Sequence, residues 1–548
     1  MKTLKTTALC LLLVAAAGCS RCGPSPSASA EELLPQQGAM AASSGLLGAL
    51  GQHVAALIER AALVPGGEQL TDLRKQLSAE LGFDPLTREG QLSAGLDPDR
   101  AAAFVATLPD GAQGRPSWVV ALPLSKPDQF VATADKLFQQ RSGLPIRAEE
   151  PRGEVKIVVF SRTGAPHKLA YAVVRGHGVI ARGTDPAAEI AAAAARTKDT
   201  SLTANGPWSA AKTLLTEGRT TPGDLLIFAP EESALGSRIA GRPLGGNSSL
   251  ALSFSATGLQ AKVRAGLPEG AALGIGTLFP GGGGELLPLL PRAAPLQARV
   301  GMKASEVAPQ LERLPLLRTA LASLREQAKA KGVDLDRDLF GALQPGLVVS
   351  VGTAPGLQIS QVIDFGFLDF RAHSPFDFVQ LVALAEVANK DRLLLALDAV
   401  AQALPQVGAQ AVRTGDDWQV NYAAGAGARF GVRAIGGRNV AYLVGGGVTP
   451  ESLAPSAAAP DSALAGSTGM AAALDLGKLA DALRSLPDTT YGSGPSSYIA
   501  RSLVAQVIEP LKSLRASAQV APGSGGVVAT FNLEIVAPPG APAQTPRP

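Results

Sequence analysis

Apolar and polar residues alternate cleanly at Ser249-Leu250-Ala251-Leu252-Ser253-Phe254. Period two places the leucines and Phe254 on one face of a strand. The same test predicts strands over 101–107, 117–124, 156–162, 168–175, 177–183, 223–230 and 248–266. Further along it predicts strands over 345–353, 378–387, 417–424, 428–435, 438–445 and 469–475. A closing hairpin is expected near 513–536, turned at Pro522-Gly523-Ser524-Gly525-Gly526. Helical spacing appears at Phe130, Val131, Ala134, Leu137 and Phe138, behind a capping Ser125 and a first-turn Pro127. It returns at Leu393, Leu394, Leu397, Val400, Ala401 and Leu404, behind Asn389. Other helices are expected near 46–64, 68–81, 185–197, 206–217, 304–331 and 497–512.

These features recur in pairs at a nearly fixed offset. Gly82-Phe83-Asp84 answers Gly332-Val333-Asp334, 250 positions on. Val119-Val120-Ala121-Leu122 answers Leu381-Val382-Ala383-Leu384, and Asp128 and Asp135 match Asp391 and Asp398, both 263 positions on. Gly178-Val179 parallels Asn439-Val440, and Thr184-Asp185-Pro186 parallels Val448-Thr449-Pro450. Hairpin-length connections imply antiparallel pairing. The expected class is therefore α+β: two tandem similar units, each a mainly antiparallel curved sheet with helices packed on one face. The boundaries are 46–268 for the first unit and 269–536 for the second. Residues 19–45 read as a flexible tether, and 537–548 (APPGAPAQTPRP) as a disordered Pro/Ala tail. Gly281–Gly284, at the joint, reads as a flexible surface loop or a hinge.

The first residues say where the protein lives. Lys2 and Lys5 precede an apolar run from Ala8 to Ala17, the layout of a secretory signal peptide over 1–18. At about ten residues, the run is too short to cross a bilayer, which takes roughly 20. Ala16-Ala17-Gly18-Cys19 resembles the lipobox of bacterial lipoproteins. That resemblance implies cleavage between Gly18 and Cys19, a diacylglyceryl thioether on Cys19 and acylation of the new amino terminus. Ser20, not Asp, follows the cysteine, which by the family's sorting rule favours the outer over the inner membrane. Two or more acyl chains anchor a protein stably. Cys10 lies in the signal, so only Cys22 is left, and the body has no internal disulfide and no Cys-based metal site. Cys22 is an unpaired thiol or a partner for an intermolecular bridge.

The paired units also resemble bacterial secreted and lipid-anchored proteins known only as domains of unknown function. The residues that carry this are the two Gly-x-Asp motifs, with Thr200-Ser201-Leu202 and Asp461-Ser462-Ala463-Leu464 before small-residue helices. The resemblance implies a duplicated mixed fold over about residues 46–536 and supplies no activity.

Composition narrows the chemistry. Apolar residues make up 46% of the 548, enough for a sizeable core in two or more domains. The net charge is +3, or +1 once Lys2 and Lys5 leave with the signal, and no dense basic stripe exists, so no nucleic-acid partner is expected. Aromatics, at 4%, are too few for sugar-stacking platforms, and Trp118, Trp208 and Trp418 offer little. His53, His167, His177 and His373 show no metal-pair spacing on a helix. Ser209-Ala210-Ala211-Lys212 fits the S-x-x-K form, but the chain has no Ser-Asp-Asn or Lys-Thr-Gly to complete it. Asp334-Leu335-Asp336-Arg337-Asp338 begins like a calcium loop and fails at Leu339 and Pro345. An acidic helix start suits it better. Gly274-Ile275-Gly276 is cut short as a dinucleotide loop by Phe279.

No catalytic residue, metal ligand or cofactor is therefore expected. The expectation is a non-enzymatic envelope lipoprotein held to the membrane by its lipid, presenting a binding or scaffold surface to another envelope protein. Two alternatives stand beside it. One is a carrier of lipid or other hydrophobic ligands in an apolar cavity. The other is a hydrolase with a scattered triad, which requires Ser or Asp beside one of the histidines.

Overall fold

A computed structural model describes residues 28–64, 67–107, 117–217, 223–231, 246–267, 269–311, 315–355, 357, 374–422, 425–456, 459–486, 495–523 and 526–536. The signal peptide, Gly18, Cys19, Cys22, His373 and the 537–548 tail lie outside them. The chain divides into two compact units between Pro268 and Glu269.

The first unit has ten described strands: β1 (Met40–Ser44), β2 (Ala103–Thr107), β3 (Ser117–Pro123), β4 (Ile146–Arg152), β5 (Val155–Ser161), β6 (Lys168–Val174), β7 (His177–Gly183), β8 (Leu225–Ala229), β9 (Ser248–Ser255) and β10 (Gly258–Gly266). All pairings are antiparallel, in the order β10-β9-β8-β1-β2-β3-β7-β6-β5-β4. Its helices are α1 (Leu47–Ala61), α2 (Glu68–Leu81), α3 (Arg88–Ser93), α4 (Pro127–Arg141), α5 (Pro186–Ala195) and α6 (Gly206–Thr216).

The class is α+β, but in this unit helices cover both faces of the sheet rather than one. Val105, Val119 and Val179 join Ile190 of α5 and Trp208 and Leu214 of α6 in one buried cluster. Their strand neighbours Phe104, Val120 and Ile180 join Leu47 of α1 and Phe130 and Ala134 of α4 in the other. Apolar residues at consecutive positions, as in Trp118-Val119-Val120-Ala121-Leu122, are what a strand buried on both faces requires.

The expected tether over 19–45 also needs correction. Ala30, Leu33 and Leu34 are almost wholly buried, and β1 runs between β2 and β8 inside the sheet. Its Met-Ala-Ala-Ser-Ser sequence reads as a linker because small residues lack strand propensity. They serve here because the neighbouring strands supply the bulk, and the Ser44 hydroxyl accepts a hydrogen bond from Ala102 N.

The second unit has ten described strands as well: β11 (Leu296–Val300), β12 (Leu343–Thr353), β13 (Val379–Val387), β14 (Ala409–Thr414), β15 (Asp417–Tyr422), β16 (Ala428–Ile435), β17 (Arg438–Gly445), β18 (Met470–Asp475), β19 (Leu514–Gly523) and β20 (Gly526–Ile535). Their antiparallel order, β20-β19-β18-β11-β12-β13-β17-β16-β15-β14, repeats that of the first unit strand for strand. Its helices are α7 (Glu269–Leu278), α8 (Ala304–Leu311), α9 (Pro315–Lys329), α10 (Leu335–Asp338), α11 (Lys390–Ala403), α12 (Ser462–Ala465), α13 (Leu476–Arg484) and α14 (Pro495–Leu503). The helix expected over 304–331 is thus two helices, the second opening on Pro315. That expected over 497–512 stays α-helical only to Leu503, then widens into a π turn over Val504–Ile508 and narrows to a 3-10 turn over Glu509–Ser513, where Pro510 has no N–H to give.

Local chemistry explains the paired motifs. Gly82 and Gly332 end α2 and α9 at φ 79° and 75°, the left-handed cap that glycine adopts freely. The aspartate two residues on then turns the chain: Asp84 accepts from Leu86 N, and Asp334 accepts from Asp336 N and Arg337 N. The β6–β7 hairpin turns on Arg175-Gly176 and the β16–β17 hairpin on Gly436-Gly437, all four at positive φ, as a two-residue type I′ turn demands.

The Gly281–Gly284 run is not a free surface loop. A Cβ on Gly282 would strike the Pro345 carbonyl, and one on Gly283 would lie 3.1 Å from the Gly346 backbone. Buried Arg299 donates to the carbonyls of Gly282, Leu464 and Ala465, fixing the run against α12.

Candidate functional site

Cys19 and Gly18, the predicted lipid attachment and cleavage residues, lie outside the described residues. Cys22 and His373 lie outside them too, and the remaining candidates are described. Lys212 Nζ lies 3.0 and 2.9 Å from the carboxylate oxygens of Glu31, itself mostly buried. The lysine of the S-x-x-K form is thus committed to a residue of the N-terminal segment, while Ser209 sits exposed on α6.

The Asp334–Asp338 run caps α10. Arg337 pairs with Asp338 at 2.6 Å and Arg325 with Asp336 at 2.8 Å. The Arg337 guanidinium holds the Asp338 carboxyl down to about 2. Gly274-Ile275-Gly276 lies within α7, so it is no phosphate loop. Among the described residues no group of three or more His, Cys, Asp or Glu side chains is placed to hold a metal ion.

Two histidines are placed by charge. His53 on α1 sits 3.0 Å from Asp224 Oδ1, whose other oxygen accepts from Phe254 N at 2.6 Å. That hydrogen bond raises the His53 pKa. The scattered-triad alternative required such a neighbour, but among the described residues no hydroxyl or thiol hydrogen-bonds His53. His177 is fully buried at the start of β7. Its Nδ1 faces the Arg175 carbonyl at 3.1 Å and its Nε2 faces Arg100 Nη2 at 2.9 Å. Burial, with the Arg100 charge, lowers its pKa to about 4, so the ring is neutral and Nε2 accepts.

A polar group that the sequence did not flag lies on β15–β17. The Tyr442 hydroxyl donates to Asp417 Oδ1 at 2.5 Å. Arg433 donates to Asp417 at 3.0 Å and to Glu451 at 2.7 Å, and Arg429 reaches Glu451 at 3.2 Å. Glu451's own backbone N–H, then Arg433, keeps its carboxyl down to about 2. In the first unit α5 packs on the corresponding strands β5, β6 and β7. In the second, the chain after β17 makes only a short turn at Pro450–Ser452 and meets Pro455. With no helix above it among the described residues, the sheet carries charge there.

A half-open apolar surface lies on the other side of the second sheet. Along β12, Val348 and Ser350 are buried while Leu347, Val349 and Val351 stay half-buried. Cross-strand register continues that half-open face through Leu296 and Ala298 of β11, Ala472 and Leu474 of β18, Ala516 and Ala518 of β19, and Phe531 and Leu533 of β20. All are apolar and none is sealed; Met470 and Phe531 are 40% and 46% exposed. In the first unit Leu250, Leu252 and Phe254 of β9 form a half-buried apolar row too. Alternation made the β9 row visible in the sequence. The face of the second unit is assembled from five strands far apart in the chain, and no local pattern marks it.

No helix among the described residues is long and apolar enough to cross a membrane. No protein-family model matches the chain, and no curated protein does. Among solved structures, crystal forms III and I of TP0453 are similar over 47% of this chain and 88% and 87% of theirs. Their identity is 10%, with TM-scores of 0.27 and 0.26, too low to establish a shared fold.

Proposed function

We propose that the chain is a lipid-anchored, non-enzymatic protein of the bacterial cell envelope, built from one unit used twice, that binds another envelope component through the apolar face of its second unit. The observation that carries this reading is a contrast within that unit. One side of β11, β12 and β18 is sealed by the leucines of segment 284–290. The opposite side is as apolar and stays half-open. Apolar surface left accessible is a binding surface by default. The matching strand order of the two units supports the duplication.

A photo-crosslinking residue at Phe531, placed by amber suppression in cells, tests the reading. A discrete adduct of higher mass supports it, and a clean monomer under conditions that label a control protein counts against it. Acylation belongs to the same proposal: envelope-extracted protein should begin at Cys19 and carry the mass of its acyl chains.

A second reading, a carrier of lipid or other hydrophobic ligands, is favoured by the hydrocarbon character of the patch made by Ala472, Leu474, Ala516, Ala518 and the ring of Phe531. It offers no side-chain hydrogen-bonding group, which suits an alkyl chain better than a peptide. Native mass spectrometry separates the two: co-purified lipid lost on Ala518→Trp supports the carrier, and a protein adduct at Phe531 supports the scaffold.

A further inference from the structure

We propose that the free end of the α1–α2 hairpin docks on the bilayer that holds the lipid anchor. Burial along α2 falls from its root outward: Leu81 is 5% exposed, whereas Leu73 is 55% and Leu70 43%, with Leu63 at 50% across the turn. Leu70, Leu73, Leu77 and Leu81 follow one helical stripe, so the exposed leucines form the outer part of an apolar face whose inner part is packed.

The second unit shows what this stripe lacks. There α9, which also precedes a Gly-x-Asp motif, packs against α11 through Ala328, Ala396 and Ala399. The positions on α4 that match Ala396 and Ala399 by the 263-residue offset are Thr133 and the exposed Lys136. A polar seat cannot bury the leucines of α2, which rests on α1 and is tied by Arg74 to Glu59 and Asp84.

The length and path of the preceding chain choose the occupant. Eight residues lie between Cys19 and Ala28, so the two are at most about 30 Å apart when the chain is extended. The Ala28 carbonyl accepts from Arg100, and the Arg100 carbonyl accepts from Leu47 N at the root of α1. With fifteen residues, α1 is about 22 Å long. The anchor therefore leaves the body at the root of this hairpin and keeps the bilayer within about 30 Å of that root, a distance comparable with the hairpin's own length. This rests on the lipoprotein reading of Cys19.

The test uses the chain from Ser20 onward, which keeps every described residue and carries no acyl group, with vesicles of phosphatidylethanolamine and phosphatidylglycerol. Measurable co-sedimentation is expected, falling at least tenfold in Leu70→Glu/Leu73→Glu and rising in Leu73→Trp, with unchanged circular dichroism and melting temperature. A parent that stays in the supernatant, or a double variant that sediments like it, overturns the proposal. If the double variant misfolds, Leu70→Gln/Leu73→Gln and the tryptophan variant decide by the same measure. Failure of the anchor reading is distinct: Cys19 would be unmodified in envelope extracts while leucine-dependent sedimentation persists.

Discussion

Lowering the pH charges His177 only against strong resistance, and the cost is calculable. The ring is fully buried, its Nδ1–H donates to the Arg175 carbonyl and its Nε2 accepts from Arg100. A second proton would point at a guanidinium 2.9 Å away. The folded pKa is about 4 against an ordinary 6.5. The folded state thus stays neutral while the unfolded chain already takes up the proton. Stability from this group is complete above the unfolded value, drains as the pH falls toward about 4, and levels off below it. At a pH of about 4.5 the loss is about 2–3 kcal/mol, taking about 1.4 kcal/mol per pKa unit. The assay is urea denaturation of the parent and of His177→Gln at neutral pH and at about pH 4.5. Carboxylates titrate in both proteins and cancel in the difference, so the parent should lose about 2–3 kcal/mol more than the variant. Equal losses in the two, or a His177 ring that titrates near 6.5 by NMR, would refute the assignment.

Three further outcomes are expected. A Cβ added at Gly178 would lie 2.6 Å from Phe130 Cε1, so Gly178→Ala should cost about 1–3 kcal/mol, and Phe130→Leu in the same chain should recover part of it in a double-mutant cycle. Lys212→Met leaves the mostly buried Glu31 carboxylate without its cation and should lower stability by about 1–3 kcal/mol, whereas Ser209→Ala should stay within about 0.5 kcal/mol of the parent in the same melt. His53 should titrate above 6.5 by NMR, and its contribution, full below that value, should be lost as the pH rises through the higher folded pKa. Asp224→Asn should return the ring to its ordinary range; a variant whose His53 still titrates where the parent's does would contradict the pairing.

Much of each sheet was legible because the strand signal is local. β3, β6, β7, β13, β16, β17 and β18 fall where alternation or short apolar runs put them, within a few residues. Helix starts at Pro127 and behind Asn389 follow from capping chemistry that one residue carries. Four strands escaped, β1, β4, β11 and β14, and the residues of the first two say little. β1 is Ala and Ser, and β4 carries Arg147, Glu149, Glu150, Pro151 and Arg152 on an exposed edge, where charge blunts further pairing. The candidate face was legible only in part: each of its strands shows an apolar row, but nothing local says which of two apolar rows will be sealed.

The sequence by itself determined most of the segments that become strands and helices, where chains turn on glycine, and that the obvious catalytic patterns are incomplete, because propensity, capping and glycine chemistry act within a few residues. The tertiary structure decided what depends on residues far apart. It drew segment 30–44 into the sheet, put helices on both faces of the first unit, spent Lys212 on Glu31, and left one apolar face of the second unit half-open. Burial is a property of what arrives from elsewhere in the chain, and a residue's neighbours in sequence do not encode it.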